Sequence, residues 1–572
     1  MRKEYFQRED GFAEERRIAS VSETKSDEAQ NQPPPTQSEA PASKWAAWPV
    51  SRRAFVAGMI AGGIIGLGAD GIGLFAYLRS HQSPVTPIKP PQSLIYTYRG
   101  HVHALPKPFV VSDSFAFLGW LPQSRRIVSL LNGEVVTPTQ IVSSCHTWDA
   151  FDGGHASIFR FPVTLSRQSI VLVNPSPLEG GPRVTWSDFN FSSKPKGMIH
   201  VTDIATGKDL FAYPIHDPAE ETSPFVCSPD GRLAASAIRP FNDSDLADGI
   251  QVSNLSTRKG IAALVERNLR FREDVLSPRG WRWSPDSQRL ISWYEDTADL
   301  YVWRAEAGQL QTRYQKHRMN DDDDYAFFGP FATVLWSPNS RLIASLDNGA
   351  APGPGKKWNL QVWQADNGSQ IFITEQKEGM SIVESVQWSP DSQMLAILVR
   401  EILGADATDS KNSKWSVQIW SAASGRQLFT IGDQKQEYIQ SVQWSPDSQM
   451  LAVAIADVHQ PTPSALDKSF AMRIEVWRAA GGTLLATKPQ RYPVLMAWSP
   501  ESKQIISNRL KVVIDGSAGE ELELWEAATG RQIATYSDPT TKDFYATIAW
   551  SPDGQYVAVG AESGAVQVWK VR

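Results

Sequence analysis

Residues 385–399 read SVQWSPDSQMLAILV, and this stretch decides the fold of the chain. Polar and apolar residues alternate up to Trp388, and an apolar run begins at Met394. Both patterns are typical of β-strands. The SPD tripeptide at 389–391 lies between them and favours a type I turn, because proline presets φ and serine or aspartate bonds the local backbone. The stretch therefore predicts an antiparallel hairpin.

The hairpin motif is repeated along the chain. Its tryptophan is found as Trp283, Trp336, Trp388, Trp444, Trp498 and Trp550, while Cys227 replaces it in one further copy and Trp120 begins the most divergent copy. From residue 227 onward, successive copies lie 52–56 residues apart, which is the signature of a repeat architecture. The interval of 107 residues between Trp120 and Cys227 accommodates either one repeat with a long insertion or two repeats.

A second marker, apolar-x-apolar-Trp, follows the hairpin motif. It ends at Trp303, Trp363, Trp420, Trp477, Trp525 and Trp569, and variants without Trp end at Thr202 and Ser253. In five of the six Trp copies a glycine follows five residues later, which suits a turn with positive φ. Segments 417–420 and 428–431 flank one such turn and predict strands c and d, after strands a and b of the hairpin. The two markers account for 13 of the 21 tryptophans, so the tryptophan excess reflects architecture.

Four antiparallel strands in each repeat predict an all-β chain in which residues 94–572 form a β-propeller. Eight marker pairs predict eight four-stranded blades, and seven is the alternative if the most divergent copy is not a full blade. Leu94–Tyr98 resembles a strand d with no blade before it, and Val566–Trp569 resembles a strand c with no strand d after it. We expect these two segments to pair, because closing the ring removes two exposed sheet edges.

The repeat resembles the WD40-repeat family in its divergent bacterial form, over about 479 of the 572 residues. Gly100-His101 matches the family's Gly-His signature, while other residues replace Asp in its Trp-Asp dipeptide. The Trp-Ser-Pro-Asp turn also resembles TolB-type propellers. The WD40 resemblance implies that the short a–b and c–d turns lie on one face, the turn face, and that the b–c and d–a connections lie on the opposite one, the loop face. Connections of variable length indicate either a binding surface or neutral drift, and they are 132–196, 238–249, 319–331, 349–358, 403–414 and 457–470.

The first 93 residues divide into three parts. Residues 1–50 are polar and contain a Pro-rich centre, which predicts a disordered cytoplasmic tail. Residues 51–79 predict a signal or membrane anchor, because residues 54–78 carry a single charge and are numerous enough to span a bilayer as a helix. Residues 80–93 contain four prolines and predict a semi-rigid linker.

The start of the predicted anchor resembles the twin-arginine export motif through Ser51, Arg52, Arg53 and Phe55. The alternative is the basic flank of an ordinary signal anchor. Both interpretations give the same topology, with the tail in the cytoplasm and the propeller outside it. No clean cleavage site follows, so we expect a single-pass protein of the cell membrane; cleavage would instead release a soluble exported form.

The sharpest feature of the variable connections is a run of four carboxylates. The candidate binding residues are Asp321, Asp322, Asp323 and Asp324, the aromatic residues Tyr325, Phe327 and Phe328 beside them, and Trp358 in the next variable connection. Four carboxylates could hold Ca²⁺, but the alternating pattern of a calcium-binding loop is absent, which favours a solvated loop. The aromatic residues are candidates for contacts with a partner, and packing in the core or loops is the alternative.

No catalytic or cofactor motif is recognisable in the sequence. The serine-hydrolase elbow, the zinc-protease motif, the P-loop and the dinucleotide-binding glycine motif are absent. A net charge of −6 argues against a general nucleic-acid binder. We expect no catalytic residue, cofactor, metal, small-molecule substrate or nucleic acid. The expected function is a non-catalytic, membrane-anchored, extracytoplasmic scaffold that binds a protein or peptide ligand through its loop face. A structural, TolB-like component of the cell envelope is the alternative, and a propeller enzyme is the third hypothesis.

Overall fold

The computed structural model describes residues 93–571, apart from connections between strands. The undescribed connections are 102–114, 122–124, 138–139, 161–171, 175–182, 191–195, 204–208, 216–225, 239–248, 258, 266–277, 295–298, 318–332, 348–357, 376–379, 404–412, 436, 458–471, 491–494, 513–517 and 539–542. The predicted tail, the predicted anchor with its export motif, and residues 80–92 of the predicted linker lie outside the described residues. Within the described ranges, no helix has the length and apolar character needed to cross a bilayer.

The described strands form nine four-stranded antiparallel sheets, which we number I to IX. The first strand of the chain, β1 (Ser93–Tyr98), belongs to the last sheet. Sheet I contains β2 (Phe115–Trp120), β3 (Arg126–Thr137), β4 (Gln140–Asp149) and β5 (Ser157–Arg160). Sheet II contains β6 (Leu172–Asn174), β7 (Arg183–Asn190), β8 (Lys196–Asp203) and β9 (Asp209–Ile215). Sheet III contains β10 (Val226–Cys227), β11 (Leu233–Ile238), β12 (Gly249–Asn254) and β13 (Lys259–Leu264). Sheet IV contains β14 (Pro278–Trp283), β15 (Arg289–Tyr294), β16 (Leu300–Arg304) and β17 (Gln309–Tyr314).

Sheet V contains β18 (Thr333–Trp336), β19 (Leu342–Asp347), β20 (Asn359–Gln364) and β21 (Gln370–Glu375). Sheet VI contains β22 (Met380–Trp388), β23 (Met394–Ile402), β24 (Ser413–Ser421) and β25 (Gln427–Lys435). Sheet VII contains β26 (Glu437–Trp444), β27 (Met450–Asp457), β28 (Met472–Arg478) and β29 (Thr483–Gln490). Sheet VIII contains β30 (Met496–Trp498), β31 (Gln504–Val512), β32 (Ala518–Glu526) and β33 (Gln532–Tyr536). Sheet IX contains β34 (Tyr545–Trp550), β35 (Tyr556–Ala561), β36 (Val566–Lys570) and β1.

The strands predicted from the repeat are confirmed. In sheet VI, strands a to d are β22 to β25, and they include the predicted segments 385–388, 394–398, 417–420 and 428–431. The glycine of the c–d turn has a φ of 62–69° in all five copies in which the sequence predicts it, namely Gly308, Gly368, Gly425, Gly482 and Gly530. The predicted all-β architecture of four-stranded antiparallel propeller blades is therefore confirmed.

The number of sheets is nine, one more than the eight predicted and two more than the alternative. The interval between Trp120 and Cys227 holds two sheets, I and II, rather than one repeat with a long insertion. Sheet II carries Thr202 on its strand c, but its strand a has no Trp-Ser-Pro-Asp motif. Sheet I ends its strand c with Trp148-Asp149, a Trp-Asp dipeptide that the marker count omitted. The prediction assigned Trp120 and Thr202 to one blade, whereas Trp120 lies in sheet I and Thr202 lies in sheet II.

The predicted pairing of the two chain ends is confirmed. Strand β1 runs antiparallel to β36, with Leu94 opposite Trp569 and Tyr98 opposite Val566. The order of sheet IX is β1-β36-β35-β34, so the first strand of the chain is the outermost strand of the last sheet. This pairing covers the edge of β36 that would otherwise be exposed.

Apolar clusters join neighbouring sheets from III through IX and on to I. In the first of them, Trp281 and Trp283 of sheet IV pack against Leu233 and Val252 of sheet III. The tryptophan near the end of strand a faces the preceding sheet, where its indole N–H donates to a carbonyl of that sheet's strand a. Five described tryptophans make this bond at 2.9–3.3 Å: Trp120, Trp283, Trp336, Trp498 and Trp550.

Hydrogen bonds also join adjacent a–b turns. In sheets IV to VIII the residue after the Pro-Asp, Pro-Asn or Pro-Glu pair has a φ of 61–66° although it is not glycine, and these residues are Ser287, Ser340, Ser392, Ser448 and Ser502. Each serine Oγ accepts from a backbone N–H in the turn of the preceding sheet, at 2.9–3.0 Å. Left-handed backbone costs an ordinary residue about 1–2 kcal/mol, and the bond between sheets offsets part of that cost. The same bonds place the a–b turns of sheets III to VIII on one face, as the resemblance implies.

The tryptophans of strand c make buried polar bonds within their own sheets. The indole N–H groups of Trp303, Trp363 and Trp525 each donate to a serine on strand b, at 2.9–3.2 Å. In sheet V that serine, Ser345, also lies 2.7 Å from Nε2 of His317. Burial lowers the pKa of His317 to about 4, so its ring is neutral at physiological pH. All twelve tryptophans named as repeat markers are buried or partly buried.

Candidate functional site

The loop face of sheets VI to VIII carries a concentration of charged and aromatic side chains. Strands b and c of these sheets have 7–9 residues, against 5–6 in sheets III to V. Because these strands meet the short turns at one end, their extra residues extend toward the loop face. We call seven side chains on strands a, b and c of sheets VI and VII the loop-face platform: Glu384, Arg400, Trp415, Glu437, Tyr438, Arg473 and Glu475.

Arg400 is the centre of the first half of the platform. Its Nε lies 2.8 Å from Oε1 of Glu384, and its side chain is 17% exposed. Its guanidinium carbon lies 5.6 Å from the centre of a ring of Trp415, within the range of a cation–π contact. Trp415 in turn meets Tyr438 of sheet VII edge to face, with ring centres 4.8 Å apart. A carboxylate and an indole therefore hold the arginine in place, and the indole continues into the next sheet.

Arg473 is the centre of the second half. Its Nη2 lies 2.9 Å from Oε1 of Glu437, and its Nε lies 2.7 Å from Oε1 of Glu475. The other oxygen of Glu475 accepts from the indole N–H of Trp477 at 3.0 Å. Burial opposes the charge of Arg473, but the bonds to Glu475 and Glu437 raise its pKa above the ordinary value. Two carboxylates therefore fix this guanidinium from both sides.

Ion pairs continue from the platform into sheet VIII. Lys488 of sheet VII lies 2.9 Å from Glu523 of sheet VIII and joins the two sheets. Arg509 lies 3.2 Å from Glu521 and 3.8 Å from Glu523, and its side chain is 48% exposed. The described loop face of sheets VI to VIII thus presents charges of both signs, held in place by each other.

This arrangement suits the recognition of a polar protein surface. Arginine, tryptophan and tyrosine supply most of the binding energy in protein interfaces, and side chains that are already fixed lose less entropy on binding. An exposed apolar residue, Leu403, follows directly after β23 and is 44% exposed. The region therefore combines fixed charges, a buried tryptophan (Trp415), a partly buried tyrosine (Tyr438) and an exposed aliphatic side chain.

The candidate residues named from the sequence fall into two groups. The acidic and neighbouring aromatic candidates lie outside the described residues, and they are Asp321, Asp322, Asp323, Asp324, Tyr325, Phe327 and Phe328. Trp358 is described, and it is a core residue rather than an exposed contact. It is 5% exposed, packs in the apolar cluster between sheets V and VI, and donates its indole N–H to Ser381 Oγ at 2.9 Å. Trp358 immediately precedes strand c, so its side chain enters the seam between the two sheets.

The sequence reasoning missed every member of the platform. Arg400 interrupts the apolar run of β23, and Trp415 is a tryptophan outside both marker positions, so two signals were present.

The segment 132–196, which the sequence predicted to be one variable connection, contains strands. β3 and β4 form a hairpin at its start, and β5 to β7 lie within it. Among the described residues, no group of three or more histidine, cysteine, aspartate or glutamate side chains is arranged to hold a metal ion.

Comparisons with known proteins agree with the fold. A family profile described as "WD domain, G-beta repeat" matches residues 530–570, which run from the last turn of sheet VIII to the end of β36. A structure titled "Crystal structure of the eukaryotic initiation factor" is 14% identical, with 78% of this chain and 96% of that chain covered and a TM-score of 0.46. The C-terminal WD40 domain of Sif2 is 12% identical, with 69% and 94% covered and a TM-score of 0.37. Sqt1 of Chaetomium thermophilum, bound to the N-terminus of the ribosomal protein L10, is 14% identical, with 70% and 96% covered and a TM-score of 0.38. The profile match over residues 530–570 and the four-stranded antiparallel sheets confirm the resemblance to WD40-repeat propellers.

Proposed function

We propose that this chain is a non-catalytic interaction scaffold that binds a protein or peptide ligand through its loop face. The observation that carries the proposal is the loop-face platform, in which Arg400 and Arg473 are fixed by carboxylates beside the Trp415–Tyr438 contact. The described residues that flank the connections 404–412 and 458–471 belong to the same strands as the platform, and these connections would add contacts specific for one partner. The apolar clusters between sheets would keep these elements in fixed relative positions.

The turn face supports the same assignment by contrast, because its polar groups are used within the turns. Ser389 Oγ donates to Asp391 Oδ1 at 2.6 Å and accepts from the N–H of Met394 at 2.9 Å. The same pair of bonds recurs in sheets III, VII and IX. A face built from one repeated turn offers little chemistry that would select a particular partner, whereas the loop face differs from sheet to sheet.

We propose further that residues 54–78 anchor the chain in the cell membrane, with the propeller outside the cytoplasm. The support is the apolar stretch and the twin-arginine-like motif before it. Ser93 lies opposite Lys570 in the β1–β36 ladder, and the N–H of Val571 donates to the carbonyl of Gln555 in the a–b turn of sheet IX, at 2.8 Å. The predicted linker would therefore join the propeller at its turn face and leave the loop face free for a partner.

Partner capture from native membranes tests the loop-face proposal. Arg509→Glu changes an ion-paired arginine on the loop face, and Arg531→Glu is its matched control on the turn face, where the arginine side chain is 68% exposed and pairs with Glu526. A third variant shortens 404–412 and 458–471. Each variant is checked by thermal melting. We expect the wild type and Arg531→Glu to retain the same partner, and the two loop-face variants to lose it. A folded Arg531→Glu variant that loses the partner, while Arg509→Glu keeps it, would place binding on the turn face.

Replacing Arg52 and Arg53 together by lysine tests the export proposal. Twin-arginine export predicts that the propeller then stays protected from protease added outside the cytoplasmic membrane. Unchanged export of the double variant would indicate an ordinary signal anchor. A wild-type chain that is absent from the membrane fraction after alkaline extraction would contradict the anchor itself, and turnover of a substrate by the purified chain would contradict the non-catalytic assignment.

A further inference from the structure

Basic and aliphatic side chains lie together on the outer edge of sheets VI and VII. Arg426 and Leu428 lie where the c–d turn of sheet VI leads into strand d, and Arg478 and Leu484 flank the c–d turn of sheet VII. The two leucines are 46% and 44% exposed, and both arginines are exposed. We call these four side chains the basic rim.

The basic rim lies on the turn face and is one continuous surface. The N–H of Ala479, in the c–d turn of sheet VII, donates to the carbonyl of Gln449 in the a–b turn of the same sheet, at 2.9 Å, and sheet VI has the equivalent bond. A Cβ placed on Gly482 would lie 2.5 Å from the ring of Phe429 on β25. The c–d turn of sheet VII therefore packs directly on strand d of sheet VI.

The c–d turns of sheets VI and VII differ from their neighbours in charge. The c–d turns of sheets IV, V and VIII each contain a carboxylate, namely Glu306, Asp366 and Glu526. Those of sheets VI and VII, residues 421–426 and 478–482, contain none. Arg531 of sheet VIII pairs with Glu526 at 3.3 Å, whereas Arg426 and Arg478 form no ion pair with another described residue.

The acidic residues of the turn face in these two sheets lie apart from the arginines. Asp391 and Asp447 belong to the a–b turns, and each accepts bonds from a serine hydroxyl and a backbone N–H of its own turn. These carboxylates therefore lie between strands a and b, whereas the arginines lie between strands c and d. The outer edge of the two sheets is positive.

The N-terminal segment enters the propeller at the same level of the outer edge. Strand β1 takes the place of strand d in sheet IX, and Leu94 lies opposite Trp569 as Leu484 lies opposite Trp477. In the extended polyproline form, residues 80–92 of the predicted linker would span about 40 Å. A chain anchored through residues 54–78 would therefore hold its turn face within reach of the bilayer.

We propose that the basic rim docks the propeller on an anionic phospholipid surface, with the two arginines at the headgroups and the two leucines at the border of the acyl chains. The inference rests on the proposed membrane anchor, which brings the turn face near the bilayer without selecting the sheets that touch it. Anionic headgroups attract arginine, and burial of aliphatic side chains at the interface adds to the binding. Docking through sheets VI and VII would point the loop-face platform of the same sheets away from the membrane.

Quenching of a dye by groups attached to the lipids tests the basic rim in the full chain. Leu484→Cys carries the dye, and Leu310→Cys, opposite the corresponding tryptophan in sheet IV, is the matched control. The chain without an added cysteine gives the background from Cys145 and Cys227. The vesicles contain phosphatidylcholine alone or mixed with phosphatidylglycerol. We expect strong quenching at position 484 in the mixed vesicles only, and weak quenching at position 310 in both.

Charge reversal tests the arginines themselves. Each basic residue near an anionic surface contributes about fivefold to binding, so Arg426→Glu combined with Arg478→Glu should lower the ratio of docked to undocked propeller by at least about 25-fold. Arg531→Glu, at an arginine that is already paired with Glu526, should change this ratio less than about fivefold. Thermal melting checks the fold of each variant. An equal loss in both would show that binding follows net charge and would contradict the assignment to the basic rim.

Alkaline extraction distinguishes failure of the anchor from failure of the basic rim. If the wild-type chain is extracted, the anchor proposal is wrong, and flotation at neutral pH then tests the rim. The wild type should float with the mixed vesicles, and the double arginine variant should not. Equal quenching at positions 484 and 310, or a wild type that neither remains anchored nor floats, would overturn the proposal. Protection of position 484 that rises with protein concentration rather than with phosphatidylglycerol would also overturn it, because a second copy would then cover the rim.

Discussion

The serine that follows each Ser-Pro-Asp turn should stabilise the fold through a single bond to the neighbouring sheet. Ser392 has a φ of 66° and is 5% exposed, and its Oγ accepts from the backbone N–H of Asn339 at 3.0 Å. Ser392→Ala removes this bond and keeps a Cβ in left-handed backbone. Ser392→Gly removes both the bond and the backbone strain. The two variants therefore separate the contribution of the bond from the cost of the conformation.

The expected magnitudes come from these two terms. Loss of the bond costs about 1 kcal/mol, so Ser392→Ala should lower the free energy of unfolding by about that amount. In Ser392→Gly, relief of the strained left-handed conformation raises the free energy of unfolding by about 1–2 kcal/mol, and the greater freedom of glycine in the unfolded chain lowers it by about 0.5–1 kcal/mol. Ser392→Gly should therefore lie within about 1 kcal/mol of the wild type, and above Ser392→Ala.

Thermal and urea melting of the three proteins, with hydrogen exchange at the amide of Asn339, measures this order. The account predicts that Ser392→Ala melts first, that Ser392→Gly melts close to the wild type, and that the amide of Asn339 exchanges faster in both variants. An alanine variant that melts with the wild type would show that the bond contributes nothing. A glycine variant that is destabilised as much as alanine would refute the argument from backbone strain.

Three further predictions concern single side chains. Trp363→Phe should lower the free energy of unfolding more than Trp388→Phe, by about 1 kcal/mol, and urea melting compares the two variants. The indole N–H of Trp363 donates to a serine, whereas the buried indole N–H of Trp388 has no hydrogen-bond partner among the described residues. Arg289→Ala should cost about 1–3 kcal/mol in the same assay, because this 13% exposed side chain pairs with Asp366 of the neighbouring sheet. Acid should destabilise the wild type through His317, because its pKa falls from 6.5 in a free histidine to about 4 in the fold. The free energy of unfolding should decrease by up to about 3 kcal/mol as pH falls from 6.5 to 4. Melting of His317→Gln should lack this part of the pH dependence.

The fold was predictable wherever the repeat kept its markers. The proline turn and the two tryptophan positions locate strands a, b and c, and the pairing of Leu94–Tyr98 with Val566–Trp569 followed from an unmatched strand at each end. Sheet II was not predictable in this way, because β6 is three residues long and carries no motif. The left-handed serines were also missed, because each accepts a bond from the turn of the preceding sheet, which the local sequence does not reveal.

The platform could not be derived from sequence spacing. Arg400 and Glu384 are 16 residues apart, and Arg473 and Glu437 are 36 residues apart, so each pair exists only because of the register between strands. The burial of Trp358 likewise depends on sheet VI, which packs against it. Sequence patterns identify which side chains a strand presents, but the distance across a seam between sheets is set by the packed structure.

Site-specific photo-crosslinking tests the loop-face assignment most directly. A photoactivatable residue is placed at Leu403 on the loop face or at Leu428 on the outermost strand of sheet VI, two leucines that are 44% and 46% exposed. The account predicts that Leu403 crosslinks to one discrete partner in cells, that Arg509→Glu weakens this product, and that Leu428 gives no such product. A partner that crosslinks from Leu428, or from Gln393 on the turn face, with none from Leu403, would contradict the central claim.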